Sequence, residues 1–369
     1  MNFTFKAILQ TCSPLHIAHP DNLRMDSNGQ RNYSGDGFPC TAVQKMTIVL
    51  PETEPTDGEL TPATRNSRTY PVIAANNIAG RMRRHAAEIV LTALVAKGQK
   101  VSMHAYTVLT CGASTGKPDS DDLSYEEYKA ARQHSYFGLF GGGPKMFNRK
   151  IRVHNSLPIT PLLSSAKGHF AHPDASSSAL SDKTNFTNLW GFRRLDDLRD
   201  LANIEVAEAS VNDFEKQFVA RQALILADKD AEKSSRTSTK TYSAIEFVNP
   251  GVLFDLTMEL AVKTEAQVGL YLETLDSFAK DERVGGYVRN GFGVINLLNV
   301  VMINTDTGET HSIFNNGRLE RNHPVIAPFI EAWHVDAEQL DTETLERIIA
   351  VSKKDEKKAI KKELADAGA

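Results

Sequence analysis

The sequence predicts an α+β protein whose central domain is ferredoxin-like, with the β-α-β-β-α-β element order that RNA recognition motifs also have. Two observations predict this fold. A strand pattern followed by a helix pattern occurs near the start of the chain and again after residue 246, and long polar stretches lie between the two occurrences. We expect the domain to comprise residues 1–17, 71–111 and 246–303, with insertions between these parts.

The first strand is indicated by a period of two. Phe3, Phe5 and Leu9 alternate with polar residues, as in a strand that buries one face. Residues 18–70 are rich in Pro, Gly, Asn, Asp and Thr, and only residues 42–50 suggest another strand or a short helix. Because a structureless loop of this length is unusual in a compact domain, we expect this insertion to be functional or ordered by a partner.

A helix is predicted over residues 76–97, where apolar residues recur at spacings of three and four. Asn76 and Asn77 are expected to cap its start, and Gly98 to end it. Its first turns carry three arginines, Arg81, Arg83 and Arg84. Positive charge there opposes the helix dipole, and helix N-termini bind phosphate through free N–H groups. We therefore expect a phosphate site here, the alternative being a solvated arginine face.

Residues 101–109 have the apolar pattern of a second strand, and residues 112–159 are expected to form a glycine-rich, basic insertion. Tyr125 and Tyr128 suggest a short helix within it. A glycine-rich, aromatic turn over residues 136–144 precedes three cations, Lys145, Arg149 and Lys150. Aromatic and cationic side chains close together suit base stacking and phosphate neutralisation, but aromatic-rich loops also serve as core anchors, and both interpretations stay open.

Residues 160–245 lose regular patterning, apart from a helix predicted near residues 213–226. We interpret this stretch as an inserted lobe with mobile tips, of the kind that grasps a partner. It contains a His-x-x-His pair, His169 and His172, with no further ligands nearby in the sequence. Since zinc needs about four ligands, no metal site is predicted.

Regular patterning returns at residues 252–262, which alternate as a strand. Thr264 and Gln267 form a capping box for a helix that is expected to end near Asp281. Residues 294–303 are apolar on both faces, as in a central strand.

Residues 304–369 are predicted to form a C-terminal extension. Within it, residues 342–362 have a helical pattern that carries many lysines. Because Asp355 and Glu356 break up the basic run, a solvated helix is favoured over a nucleic-acid-binding arm.

The segment between the second helix and the last strand is rich in glycine. Four glycines fall within residues 284–295, interleaved with Tyr287, Arg289 and Asn290. Glycine permits positive φ and the close approach of another backbone, so this run can present N–H groups to a phosphodiester chain. The alternative is a flexible connector, since glycine is the commonest loop residue.

The overall composition places further limits on function. The chain has 369 residues and a formal net charge of -4, so nucleic-acid binding would have to rest on local basic patches. Its three cysteines are far apart, which fits reduced thiols and excludes a Cys-x-x-Cys centre. There is neither a signal pattern nor an apolar run near the about 20 residues of a membrane span. We expect a cytoplasmic protein with no membrane partner and no cofactor.

Four short segments resemble a known family. They are residues 71–84, Phe137-Gly-Leu-Phe-Gly141, residues 246–254 and residues 285–293. Together they are similar to the RAMP superfamily of CRISPR proteins, and within it to the "Cas seven" backbone subunits of multi-subunit class 1 effector complexes. The long polar insertions and the lack of a strongly basic balance look closest to the type IV branch.

The resemblance implies a subunit that polymerises along a guide RNA (crRNA), several copies per RNA, beside other CRISPR effector subunits. A ferredoxin-like palm would grip the RNA backbone, and a thumb hairpin within residues 160–245 would kink the strand between neighbouring copies. Binding would be independent of sequence, and the guide would read a target nucleic acid by base pairing. The RNA-binding residues expected in all are Asn76, Asn77, Arg81, Arg83, Arg84, Lys145, Arg149, Lys150, Tyr287, Arg289 and Asn290.

An enzyme is the competing interpretation. Type III relatives cut target RNA with a metal-dependent Asp in the loop after the first strand, and here Asp21, Asp26 and Asp36 lie in that insertion, without the family's surrounding pattern. Asp26 and Asp36 are the catalytic candidates of this alternative, but acidic residues in such loops are more often turn formers, so we predict no catalytic activity.

Two further alternatives remain. A repeat-processing nuclease of the same superfamily could use His16 or His19 as a general base, but the sequence offers no partnered acid or second base. An RNA-recognition module outside CRISPR biology would follow if the resemblance were accidental.

Overall fold

The computed structural model describes residues 1–19, 23–25, 31–32, 38–49, 67–112, 125–145, 147–195, 204–210, 212–220, 223, 240–281 and 283–350. The chain divides into two compact units. The first comprises Met1–Ile17, Gln44–Phe186 and Val248–Ala369, and the second comprises Ala18–Val43 and Thr187–Phe247.

The strands and helices follow in chain order. The strands are β1 (Asn2–Thr11), β2 (Leu23–Met25), β3 (Arg31–Asn32), β4 (Phe38–Thr41), β5 (Lys45–Val49), β6 (Ser67–Pro71), β7 (Ile151–Val153), β8 (Leu157–Pro158), β9 (Thr187–Leu195), β10 (Lys240–Val248), β11 (Leu253–Ala261), β12 (Ile295–Asn304), β13 (Thr310–Ser312), β14 (Phe314–Asn315) and β15 (Arg318–Leu319). The helices are α1 (Ala75–Ala96), α2 (Met103–Cys111), α3 (Tyr125–Gln133), α4 (Ser135–Phe140), α5 (Pro161–Lys167), α6 (Ile204–Ser210), α7 (Glu265–Asp281), α8 (Ala327–Gln339) and α9 (Thr342–Ile349).

The main sheet of the first unit is antiparallel, with strands in the order β13-β12-β1-β11-β7, and β8 also pairs with β11. Along the chain, β1, α1, β7, β11, α7 and β12 follow one another in β-α-β-β-α-β order. The first unit is therefore a mixed α+β fold, consistent with the predicted ferredoxin-like core.

The register of β1 defines two ends of this sheet. At the Thr11 end, Thr11 pairs with Ile295, where β12 begins, and Gln10 pairs with Leu253, where β11 begins. At the Asn2 end, Asn2 pairs with Ala261, where β11 ends. Loops that leave these strands therefore gather at one end or the other.

The helices pack on the face of the sheet to which the apolar side chains of β1 point. The ring of Phe5 lies 4.6 Å from that of Tyr271 in α7, and the ring of Phe3 lies 5.7 Å from that of Phe329 in α8. Helix α1 packs beside α7, where the Nδ1 atom of His85 lies 3.0 Å from the Oγ atom of Ser277. The period of two in β1 thus separates a core face from a second face.

The second face of the sheet is covered by residues 159–175. The Oγ1 atom of Thr257 donates to the carbonyl of Phe170 at 2.9 Å, and Lys6 donates to the carbonyl of Ala171 at 3.0 Å. Ile8 packs in a cluster with Ile159 and Ala175. The sheet face on which RNA recognition motifs stack bases is therefore buried at these positions.

The second strand was predicted at residues 101–109, and that prediction is wrong. These residues belong to the loop before α2 and to α2 itself, whose start is capped by Ser102, since its Oγ atom accepts from the amide of Ala105 at 3.1 Å. The second strand of the core is instead β7, which pairs with β11 from Val153↔Met258 to Ile151↔Leu260. It lies in the stretch that was predicted to be a glycine-rich insertion.

Other predicted elements are confirmed. These are β1, β5, α1, α3, β11, α7 and β12. The capping box of α7 forms as expected, because the amide of Gln267 donates to Thr264 Oγ1 at 3.3 Å and the amide of Thr264 donates to Gln267 Oε1 at 3.4 Å. Residues 214–220 are helical, within the range predicted. Of the predicted C-terminal helix, Thr342–Ile349 is helical, and residues from 351 onward lie outside the described part.

The second unit contains its own sheet, in the order β3-β2-β4-β10-β9. Strand β10 runs parallel to β4, with Ala244 opposite Cys40. The Oε2 atom of Glu246 accepts from the amide of Val43 at 3.0 Å, which satisfies this buried carboxylate. The unit thus joins parts of the two predicted insertions 18–70 and 160–245.

None of the helices in the described ranges combines the length and the apolar character that crossing a membrane requires.

Candidate nucleic-acid interface

An open pocket of about 520 Å³ lies between α1 and the C-terminal part of α7. Its lining residues are Arg81, Arg84, His85, Glu88, Ser277 and Lys280. The residues from α1 share one helix face because their spacings are three and four. Two arginines and a lysine surround one carboxylate, so the pocket has the charge to attract an anion such as a phosphate.

Lys280, one of the pocket cations, forms an ion pair within its own helix. Its Nζ atom lies 3.0 Å from Asp276 Oδ2, which is one turn away. Burial would by itself raise the pKa of Asp276, but its hydrogen bonds to Lys280, the amide of Leu319 and Arg321 outweigh this effect, and its pKa is lowered. Asp276 therefore stays ionised and offsets the charge of Lys280.

The start of α1 differs from the prediction that Asn76 and Asn77 cap the helix. The helix begins at Ala75, and both asparagines lie inside its first turn, Asn76 exposed and Asn77 half-buried. The amide of Ala75 donates instead to Asn155 Oδ1 at 2.9 Å. The predicted capping role is therefore wrong, while both side chains remain near the helix start.

Arg83 faces away from the pocket and is enclosed by the glycine-rich turn that follows α4. Its Nη1 atom donates to the carbonyl of Gly141 at 3.0 Å, and Nη2 donates to the carbonyl of Phe140. A Cβ atom on Gly112 would lie only 2.7 Å from Arg83 Cζ, so glycine is required there for this close approach. The guanidinium of Arg83 therefore holds the turn that follows α4, and it lies close against Gly112.

The aromatic residues of the same turn belong to the core. Tyr136, Phe137 and Phe140 are all buried, and the hydroxyl of Tyr136 donates to the carbonyl of Leu109. Burial raises the pKa of Tyr136, so its hydroxyl stays protonated. These rings act as core anchors and are not placed for base stacking.

The three cations after this turn have different surroundings. Lys145 is buried, and its Nζ atom lies 2.8 Å from Glu127 Oε1. Arg149 is exposed. Lys150 is half-buried and lines a separate pocket at the Asn2 end of the sheet. The structure does not bring these cations together with Arg81 and Arg84.

The glycine-rich segment docks on the residues that follow β1. The amide of Gly293 donates to the carbonyl of Pro14 and the amide of Gly286 to that of His16, each at 2.8 Å. The amide of Val294 donates to Ser13 Oγ at 2.9 Å. A Cβ atom on Gly285, at φ +86°, would lie 2.3 Å from the carbonyl oxygen of His16. The glycines therefore allow a close internal contact, and several amides expected to face phosphate donate within the protein.

The segment presents side chains outward. Tyr287 adopts φ +57° and is 37% exposed, with its ring 5.0 Å from that of the buried His16. Arg289 and Asn290 are exposed on the short 3₁₀ turn that follows. His16, a candidate base in the nuclease alternative, is thus packed beneath Tyr287.

The topology brings the pocket and this segment to the same end of the sheet. The segment connects the last turn of α7, which supplies Lys280 to the pocket, with Ile295 at the Thr11 end. Arg289 therefore lies nine residues after Lys280, on the loop that leaves the C-terminal end of α7. Arg81, Arg84 and Arg289 are the predicted arginines that share this region.

The family model for the RAMP superfamily matches residues 8–296, which is well over half of the chain. The chain belongs to the RAMP superfamily. This finding confirms the family resemblance of the sequence. A search of curated proteins found no match. Among solved structures, the chain is similar to one described as a Type IV-B CRISPR complex, with 14% identity, 87% of this chain and 95% of that chain covered, and a TM-score of 0.46.

The candidate catalytic residues of this RAMP protein, Asp26 and Asp36, lie outside the described residues, as does Asp21. Among the residues that are described, no group of three or more His, Cys, Asp and Glu side chains could hold a metal ion.

The histidine pair of this RAMP protein is not arranged for metal binding. His172 is buried, its Nε2 atom lies 2.5 Å from the carbonyl oxygen of Asn299, and its Nδ1 atom accepts from the amide of Asp174 at 3.0 Å. Burial lowers the pKa of His172, so the ring is neutral and both nitrogens have partners. His172 fixes the segment that covers the sheet.

Four pocket residues were missed by sequence reasoning: His85 and Glu88 of α1, and Ser277 and Lys280 of α7. Ser277 and Lys280 lie near the end of α7, where no local motif distinguishes them from an ordinary solvated helix face. The available signal was the fold itself, because a β-α-β-β-α-β order places the two helices side by side on one face of the sheet.

Proposed function

We propose that this RAMP protein is a crRNA-binding backbone subunit of a CRISPR surveillance complex, of the "Cas seven" kind and the type IV branch. In this proposal, several copies polymerise along one guide RNA beside other effector subunits. The observation that carries it is the cationic pocket formed by Arg81, Arg84 and Lys280, in a chain of the RAMP superfamily whose exposed Arg289 lies on the loop that leaves the same end of α7.

The chemistry of the pocket supports backbone recognition. Arginine pairs with phosphate through two parallel N–H groups, and such contacts position a strand without reading its bases. A guide must leave its base edges open for pairing with a target, so a grip on phosphates is the mode that a backbone subunit needs. Residues 160–245 supply the thumb of this proposal.

The buried second face of the sheet supports binding at loops and helix ends. In an RNA recognition motif, aromatic side chains on that face stack bases. Here residues 159–175 cover it, and Lys6 and Thr257 use their side chains to hold this cover. The proposed RNA path therefore crosses the Thr11 end of the sheet, where Tyr287, Arg289 and Asn290 are exposed.

We also propose that the subunit has no catalytic activity of its own. The alternative is target-RNA cleavage through Asp26 or Asp36. The assembled complex, incubated with complementary RNA and magnesium, is expected to leave that RNA intact. Regularly spaced cuts that disappear in Asp26→Ala or Asp36→Ala would establish the enzyme instead.

The guide-binding proposal is tested by co-expression with a CRISPR array in a heterologous host. The wild-type protein is expected to co-purify with RNA of uniform length, and Arg81→Gln combined with Arg84→Gln to lose most of it. The control combines Lys100→Gln with Lys183→Gln, which removes the same charge from two exposed sites outside the pocket. RNA retention by the arginine variant, or equal loss in the control, would overturn the assignment of the pocket.

A further inference from the structure

A second cationic pocket lies at the opposite end of the main sheet. It has a volume of about 390 Å³ and is formed where β1 begins and β11 ends. Its lining residues are Met1, Asn2, Tyr128, Arg132, Lys150, Ala261, Val262 and Lys263. The lining contributes three side-chain cations and, among the described residues, no carboxylate.

Hydrogen bonds of their backbone amides fix the positions of Lys150 and Lys263 in this pocket. The amide of Lys150 donates to the carbonyl of Leu139 at 2.7 Å, and the amide of Lys263 donates to Gln267 Oε1 at 2.9 Å in the capping box of α7. Lys263 is exposed and Lys150 is half-buried. Neither ammonium group has an ion-pair partner among the side chains that the structure describes.

Arg132 and Tyr128 complete the site from α3. The Nη1 atom of Arg132 donates to the carbonyl of Gly138 at 2.8 Å, which fixes the guanidinium at the pocket wall. Tyr128 is 44% exposed. The acid next to it in sequence, Glu127, is already paired with Lys145. The pocket therefore offers positive charge beside an exposed aromatic ring.

We propose that this pocket binds one nucleotide of a single-stranded RNA, with its base stacked on Tyr128 and its phosphate held by Lys150 and Lys263. Aromatic rings beside cations are the arrangement by which proteins hold single strands without reading sequence. The volume lies within the range of small-ligand sites. This inference rests on the proposed function and adds a second contact, at the Asn2 end, to the one at the Thr11 end.

An acidic protein segment is the competing ligand. Such a segment would use the lysines but gain nothing from base stacking, so Tyr128 separates the two ligands. We favour RNA because the exposed ring is part of the lining and not of the core.

The test uses the full chain and a 5′-labelled oligouridylate, with binding followed by fluorescence anisotropy at several salt concentrations. Lys150→Gln combined with Lys263→Gln is expected to reduce the slope of log K against log salt by about 0.7, because the two lysines hold one phosphate and each phosphate of a single strand that is neutralised contributes about 0.7. Tyr128→Leu is expected to weaken binding at least about five-fold, and Tyr128→Phe to restore it, because the phenyl ring still stacks.

The controls separate this site from the proposed guide interface. The matched variant with Lys100→Gln and Lys183→Gln is expected to keep the wild-type slope. If the Arg81→Gln, Arg84→Gln variant loses affinity while the Lys150→Gln, Lys263→Gln variant does not, the second site is overturned and the proposed function stands. If the lysine variant alone loses affinity, the first pocket is overturned. If the lysine variant loses affinity but Tyr128→Leu does not, the proposal that a base stacks on Tyr128 is overturned.

Discussion

The Cζ atom of Arg83 lies 5.9 Å from the centre of the Phe140 ring, and its Nη1 atom donates to the carbonyl of Gly141 at 3.0 Å. Arg84, the next residue, lines an open pocket on another side of the same helix. Two adjacent arginines that share a predicted RNA-binding role therefore have different surroundings, because consecutive helix residues point about 100° apart.

This difference predicts that Arg83→Gln destabilises the protein. The substitution removes two charge-assisted hydrogen bonds to half-buried carbonyls. The loss of each such bond costs at most about 1.5–3 kcal/mol. Arg84→Gln changes an exposed residue and is expected to stay within about 0.5 kcal/mol of the wild type. Urea unfolding measures both, and equal midpoints for the two variants would contradict the structural role of Arg83.

Gly269 predicts a packing constraint between α7 and α8. A Cβ atom on Gly269 would lie 2.0 Å from the carbonyl oxygen of Phe329, so Gly269→Ala must push the two helices apart. We expect a destabilisation of about 1–3 kcal/mol, as for other overpacked cores.

Gly80 provides the matched control, since it also lies in a helix but has no neighbouring atom within 4 Å of the position that a Cβ atom would occupy. Gly80→Ala is expected to stabilise the protein by about 0.5–1 kcal/mol, because alanine restricts the unfolded chain and favours the helix. Thermal unfolding of both variants gives the comparison. A stable Gly269→Ala protein would show that the helices are not in contact as described.

His134 predicts a stability that depends on pH. Its Nδ1 atom accepts from the amides of Tyr136 and Phe137 at 3.1 and 3.4 Å, and burial lowers its pKa to about 4, against a weak opposing effect of Asp341. The folded state thus needs the neutral ring. Its contribution is complete above the unfolded pKa of about 6.5 and is lost as pH falls from there through about 4.

His134→Asn tests this contribution, because asparagine also accepts hydrogen bonds at a helix start but does not titrate. The free energy of unfolding is measured between pH 7 and pH 4. We expect the variant to lose less stability than the wild type over this range. Parallel curves would show that protonation of His134 does not contribute.

The sequence predicted the long elements of the core and missed the short ones, for a physical reason. Strands β1 and β11 and helix α7 carry enough residues for a clear period and a cap. The three residues of β7 become a strand only through pairing with β11, which is distant in sequence.

The candidate site was predicted only in part, because its residues come together through helix packing. The arginines were found because they cluster in sequence. Which of them faces α7 depends on the rotation of α1 in the core, and the lysine that faces them lies on the other helix.

Asp276 in α7 links the hairpin of β14 and β15 to the core. Its carboxylate accepts from Arg321 Nη2 at 3.0 Å and from the amide of Leu319 at 3.3 Å, and it pairs with Lys280. Asp276→Asn keeps the shape but removes the charge that compensates Lys280 and Arg318, while Arg321 keeps its ion pair with Glu273. Because these cations are about half exposed, we expect a loss of about 1–3 kcal/mol, less than for a fully buried pair.

The same substitution has a second expected effect, on RNA binding. Removing the charge of Asp276 frees Lys280 from its ion pair and makes the pocket with Arg81 and Arg84 more positive. Binding of a labelled oligouridylate is then expected to tighten, with a steeper dependence on salt. Lys280→Gln in the Asp276→Asn background should return both quantities toward the wild-type values. If the double variant still binds RNA more tightly than the wild type, the RNA binds elsewhere, because the pocket then lacks the lysine on which the gain in affinity depends.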